Sequence, residues 1–243
     1  MQANNIINQR GNNMNKTVAI LACALFVLTG CLGGGGSGDS GPAVSTLSFP
    51  LQTGFKTNIA NGLSMNFSVS GTCSGSGSAT SSPAATPATF EGIAGFSSVT
   101  AITMSLTNCT PASIAHTTTV YYDSNNNQLG FNSDGGNYGV FPIPPILPTS
   151  VTVGDTAIVG TEMLYTDSSK VTGNGREEYS YVVQADTSST AIVNLITKDF
   201  NSAGILLGTE QDYYRIDAQG TLTPTSVDIQ YANGSTTHLV LTF

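Results

Sequence analysis

The chain has 243 residues, of which only 9% are charged, with a formal net charge of −8 and no tryptophan. After Cys31 it carries five basic residues against fifteen acidic ones, a net −10. No basic patch is present to neutralise phosphate, which argues against nucleic acid as a partner, and an acidic surface rich in Ser, Thr, Asn and Gly suits an exported protein.

The first element is a leader. Lys16 precedes an unbroken apolar run from Val18 to Leu28, followed by the small residues Thr29 and Gly30. A basic flank, a short apolar stretch and a small-residue exit describe a secretory signal. The run is shorter than the roughly 20 residues needed to cross a bilayer. It ends in "LTGC", Leu28 to Cys31, which resembles the lipobox of bacterial lipoproteins. The resemblance covers Met14 to Cys31. It implies that the Cys31 sulfur takes a diacylglyceryl group, that the chain is cut before Cys31, and that the new amino terminus is acylated. Its consequences are a palmitate-type covalent lipid, a membrane as partner and a place in the cell envelope. Leu32, rather than an aspartate, follows the cysteine. By analogy with enterobacterial lipoproteins this points to the outer membrane of a Gram-negative bacterium, facing the periplasm or the surface. Met14-Asn15-Lys16 opens a complete signal by itself, so a start at Met1 or Met14 gives the same mature chain. Each buried CH₂ contributes about 0.8 kcal/mol, so two or three acyl chains hold firmly. "LGGGGSGDSG", residues 32–41, has no side chains with which to build a core and reads as a tether.

Cys23 leaves with the signal and Cys31 is the lipidation site, which leaves Cys73 and Cys109. Export implies an oxidising compartment, so these two are expected to pair. The bond closes a 36-residue separation, a constraint of about 3–4 kcal/mol. Their spacing is not C-x-x-C and no basic residue lies near either thiol in sequence, which disfavours a redox role.

Beyond Cys31 the apolar residues alternate with polar ones over short runs, without a helical period. The expected organisation is all-β, with a signal at 1–30, lipidated Cys31 and tether to residue 43, and two modules. The first, 44–141, is disulfide-stapled and sandwich-like. Its strands lie at 63–71 and 99–109, with a hairpin over 117–132 turning at Ser124 to Asn127, and 74–89 reads as a low-complexity loop. "FPIPPILP", 141–148, holds four prolines that cannot donate to a central strand, so 142–149 is expected to be a connector. The second module, 150–243, offers six strand candidates at 157–167, 176–186, 191–200, 205–217, 221–232 and 237–243. Their links are short and rich in turn formers, which predicts a six-stranded antiparallel meander. Tyr179, Tyr181 and Val183 share one face, and the opposite faces carry Glu178, Gln184, Asp228 and Gln230. The carboxy-terminal "HLVLTF" resembles the closing strand of outer-membrane barrels. Such barrels need about eight or more membrane strands with aromatic girdles, so core packing is the expectation here.

Candidate chemistry is sparse. His116 falls in an apparent loop and His238 on a solvent-facing side of the last strand, neither with a partner at metal-ligand spacing. No G-x-S-x-G elbow exists, although the members of a Ser-His-Asp triad need only meet in space. Glu177 and Glu178 point to opposite faces. Glu210 and Asp212 share one, but a glycosidase needs a pocket and usually aromatic platforms. Asp123 to Asp134 resembles an EF-hand loop in Asp123, Asn125 and Asn127. Gln128 replaces the turn glycine there and Asp134 the bidentate glutamate, so a plain hairpin turn is expected. No catalytic residue, metal or cofactor is assigned. The leading expectation is a non-enzymatic lipoprotein that binds or scaffolds an envelope protein. The alternative is a carrier of a lipid or other apolar ligand in a curled sheet; a hydrolase is third. An apolar cavity on the order of several hundred Å³ favours the carrier, a filled core with an exposed apolar patch the binder, and a cleft gathering Ser, His and Asp the hydrolase.

Overall fold

The computed structural model describes residues 44–232 and 237–243. The signal at 1–30, Cys31 and the tether to residue 43 lie outside the described residues, as does the 233–236 link. The chain enters through one helix, α1 (Leu51–Asn61). Thirteen strands follow: β1 (Leu63–Gly71), β2 (Ser74–Ser81), β3 (Thr86–Phe90), β4 (Ile93–Thr107), β5 (Ser113–Asp123), β6 (Gln128–Ser133), β7 (Tyr138–Val140), β8 (Thr156–Tyr165), β9 (Gly173–Ala185), β10 (Thr190–Asn201), β11 (Leu206–Asp217), β12 (Leu222–Tyr231) and β13 (His238–Thr242).

Strands β4 to β13 pair in chain order, β13 pairs with β1, β1 with β2, and β2 with β4. Twelve antiparallel strands therefore close into a barrel, while β3 pairs only with the first residues of β4, Ile93 to Ser97. This replaces the expected sandwich followed by a meander. The two halves are one sheet: Tyr138 pairs with Tyr165 across the proline-rich stretch, and Val69 pairs with Leu241 at the other seam. The reason is physical. Each half alone would leave strand edges with unpaired backbone groups, and closure removes them.

Two local readings also change. Residues 74–89 form β2 and β3 instead of a loop. In β2 the small residues Gly75, Gly77 and Ala79 lie opposite Val69, Phe67 and Met65 of β1. A Cβ at Gly77 would sit 2.5 Å from Phe67 Cζ, so the glycine makes room for an aromatic ring. The helix was not visible as a period, yet Leu51 and Phe55 are buried four residues apart on it. Pro50 precedes it and Gly62, at φ 71°, ends it, the usual proline-before and glycine-after arrangement.

Chain direction sorts the connections between the two barrel ends. α1, the 124–127 turn, the 141–155 segment and the 186–189 and 218–221 turns share one end, called here the helix end. The incoming chain is tied there too, by a Phe49–Val151 bridge and a Ser45 Oγ bond to the Ser188 carbonyl. The 134–137, 166–172 and 202–205 turns lie at the opposite end. So does the Cys73–Cys109 disulfide, whose Cα atoms are 5.7 Å apart.

Over β1, β2 and the second half of β4 the bore is apolar and the outer surface is polar. In β4, Ile102, Met104 and Leu106 are buried, while Thr103, Ser105 and Thr107 are exposed. Hydroxyl pairs such as Ser74–Thr107 and Ser78–Thr103 run along the outside. This inverts the pattern of a membrane-spanning barrel, whose apolar band faces outward. Phe243 packs on Phe67 with ring centroids 5.7 Å apart, so the terminal aromatic belongs to the core. Outside the ring, the β3–β4 hairpin lays Phe90 on Tyr121 at 4.5 Å and Tyr138 at 5.2 Å. Its tip is held by Glu91, which accepts from the Tyr138 hydroxyl and from Lys170.

Candidate functional site

The inner wall built by β8 to β11 is unlike the rest of the bore. Its cross-strand rows read Glu162–Glu177–Asp199, Tyr179–Thr197–Glu210 and Tyr181–Leu195–Asp212. The period-two alternation of a strand puts these residues on one face. All five carboxyl residues are buried, none more than 6% exposed.

Their geometry dictates protonation. The Tyr179 hydroxyl lies 2.9 Å from Glu162 Oε2 and 2.5 Å from Glu177 Oε2. One hydroxyl has one hydrogen to donate. It can bond both glutamates only if one of them carries its own proton and donates in return. Burial points the same way, since it penalises the charged form. It pushes Glu162 up to about 8, partly offset by the Tyr179 bond. It raises Glu177 well above the carboxylate range, with Glu162 and Asp199 adding like-charge repulsion. The Tyr179 phenol rises for the same causes, burial first and the two glutamates next. Glu210 is pushed up to about 8 by burial, with a hydrogen bond to Asp212 opposing.

Beside this wall, at the helix end, lies a cavity of about 160 Å³. α1 contributes Phe55, Lys56 and Ile59; β5 and β6 contribute Val120, Tyr122 and Phe131; the proline-rich segment contributes Phe141, Pro145 and Leu147. The acid-bearing wall supplies Tyr179, Leu195, Thr197 and Asp212. Gln52, Asn126, Asn127 and Gln128 also reach it, so the cavity is a mostly apolar chamber with a few polar groups in its walls, the usual composition of a small-molecule site. Among the described residues no group of three or more His, Cys, Asp or Glu is arranged to hold a metal ion.

One sequence expectation about the histidines changes. His116 is in β5, not in a loop, and is buried. Its Nδ1 lies 2.7 Å from Asp134 Oδ1 and its Nε2 lies 3.1 Å from Thr118 Oγ1. This is the nucleophile–base–acid order of a hydrolytic triad. Yet Thr118 is 2% exposed and does not line the chamber. Asp134 also accepts from the Thr117 amide at 2.9 Å, so the trio fastens the β6–β7 turn onto β5. Burial lowers the His116 pKa, and Asp134 opposes that shift. His238 is only partly exposed and bonds Asp228 Oδ2 at 2.8 Å; Asp228 itself is fully buried rather than part of a solvated face.

Asp123 is occupied by its own turn. Its Oδ1 accepts from the Asn125 and Asn127 amides, each at 2.8 Å, and its Oδ2 from Asn127 Nδ2 at 2.9 Å. That is the Asx-turn chemistry of a hairpin. The acid-bearing wall itself escaped sequence reasoning, although a signal was present. Glu177 continues the Tyr179–Tyr181–Val183 alternation by one step, and Glu210 and Asp212 continue that of Tyr214 and Ile216. Comparison with protein-family models, with curated proteins and with solved structures finds no match to this chain.

Proposed function

We propose that this chain is a lipid-anchored protein of the cell envelope, without catalytic activity, whose barrel binds a small and largely apolar molecule at the helix end. The observation that carries the reading is the chamber of about 160 Å³ with Tyr179, Thr197 and Asp212 in one wall. An engineered protein cavity of about 150 Å³ is enough to take benzene. The volume falls below that of a lipid carrier, so the ligand is a ring or the end of a chain. Thr197 and Asp212 offer its polar end a hydrogen bond, and an anion would have to leave water for walls that are mostly apolar. The non-catalytic reading rests on the burial of Thr118, which gives His116 and Asp134 no substrate to act on.

The anchor rests on the lipobox resemblance at Leu28 to Cys31, and the outer-membrane assignment on Leu32. Replacement Cys31→Ser is expected to abolish palmitate incorporation, and unchanged labelling overturns the anchor. For the chamber, calorimetric titration with benzyl alcohol, benzylamine and benzoate is the test. The first two are expected to bind and benzoate not to, and Leu195→Trp, which fills the space, removes both signals. A wild-type protein that binds none of the three overturns the reading.

A second reading, docking of an envelope protein, is favoured by a separate observation: Ile143, Ile146 and Ile158 are 80%, 69% and 85% exposed.

A further inference from the structure

Those three isoleucines sit at the helix end, around the mouth of the chamber. Ile143 and Ile146 belong to the proline-rich segment whose Phe141, Pro145 and Leu147 line the chamber. Ile158 is the third residue of β8, opposite Ser180 on β9. This end exposes Val44, Leu47, Ile143, Ile146 and Ile158, against Val171 and Ile205 at the opposite end, and such a gathering is unusual for a surface that faces only water. The outer faces of β1 and β2, by contrast, carry serine, asparagine and threonine.

The incoming chain selects the occupant. The described residues begin at Val44, and Ser45 is bonded to the 186–189 turn, at this same end. Twelve residues separate Val44 from Cys31. A glycine-rich tether of that length spans about 20 Å on average, shorter than the 12- and 13-residue strands at about 3.3 Å per residue, so a lipid on Cys31 keeps the helix end, not the disulfide end, nearer the bilayer. From this we infer that the helix end rests on the membrane surface, with Ile143, Ile146 and Ile158 entering the boundary between headgroups and acyl chains and the chamber mouth facing the lipid. The inference rests on the lipid anchor proposed above.

The charges at this end set the kind of lipid. Asp123, Asp155 and Asp217 accept from turn amides, and Asp186 is paired with Arg215. With Lys56 of α1 counted, the described residues of these elements carry four acids against two cations at this end, a net −2 that suits zwitterionic headgroups better than anionic ones. The geometry also fixes how a ligand arrives. An apolar molecule dissolved in the bilayer reaches the chamber without crossing bulk water.

The test uses the lipidated protein reconstituted into phosphatidylcholine vesicles that carry a lipid-attached quencher. Cys73 and Cys109 are bonded to each other and Cys31 is acylated, so a new cysteine is the only reactive thiol. Fluorophores are placed by Ile146→Cys, Ile158→Cys and, at the opposite end, Val171→Cys, itself 86% exposed. Quenching several-fold stronger at 146 and 158 than at 171, and weaker when phosphatidylglycerol replaces part of the lipid, is the expected result. Equal, weak quenching at all three sites on vesicle-bound protein overturns the orientation while leaving the anchor intact. Protein that fails to stay with the vesicles overturns the anchor and the orientation with it.

Discussion

On the β1–β2–β4 side of the bore, Phe67, Val69, Ile102, Met104, Leu239 and Leu241 fill the space, and Gly75 and Gly77 are small so that they can. On the β8–β11 side, Glu162, Glu177, Asp199, Glu210 and Asp212 occupy equivalent inward positions, and a chamber remains next to them. The first wall follows the ordinary rule that interiors pack densely with apolar side chains. The second breaks it, because buried carboxyls cost stability unless they are neutral or bonded. A fold that closes one side so well has no need of acids on the other for stability. Their presence next to a chamber that Asp212 lines is what supports the binding role proposed for that side.

The contrast can be broken most severely on the filled side. Gly77→Val drives a methyl into Phe67 and toward the Thr103 carbonyl, which lies 2.3 Å from the position of a Cβ. Overpacking of this kind costs typically 1–3 kcal/mol, and more where backbone is struck; urea denaturation should place this variant at the top of that range or leave it unfolded. Also on this side, Cys73→Ala opens a 36-residue separation and is expected to cost about 3–4 kcal/mol, read from the same curves.

On the acid-bearing side the expected signature is pH dependence. Burial pushes Glu162 and Glu210 up to about 8 in the fold, well above the ordinary carboxylate range. Both carboxylates bind a proton more tightly in the fold than in the unfolded chain, so their contribution is complete below about pH 4.5 and is lost as pH rises through 8. Thermal melts of the wild type should fall from pH 5 to pH 8. The double variant Glu162→Gln/Glu210→Gln, which mimics two of the neutral acids and leaves Glu177 as a remaining raised carboxyl, should fall clearly less across that range; a parallel fall in both proteins contradicts the protonation argued here. The smallest effect is expected at the triad look-alike. Thr118→Val leaves His116 Nε2 without its partner and should cost about 1–2 kcal/mol, with no other consequence.

The sequence made much of the framework legible because strand alternation is a local signal. The 63–71 strand, the turn at Ser124 to Asn127 and the six carboxy-terminal strands are all found near their expected places. The disulfide followed from counting cysteines. Barrel closure was not legible, since the Val69–Leu241 and Gly75–Leu106 pairings join residues whose strands carry no mark of their partners. β2 was missed because Gly and Ser in "SGSGSATS" read as a flexible segment, when their small size is what Phe67 requires. The acid-bearing wall was half visible. Glu210 and Asp212 were seen to share a face, but which face is inside depends on the curvature of the closed sheet, a property of the whole ring and not of any one strand.

The chamber is the point on which this account stands, and a crystal structure of the protein grown with benzyl alcohol tests it most directly. The account predicts the ring between Phe55 of α1 and Leu195 of β10, with its hydroxyl within hydrogen-bond distance of Thr197 or Asp212. A structure in which α1 has moved inward, with Phe55 and Ile59 filling that space and no ligand bound, contradicts it.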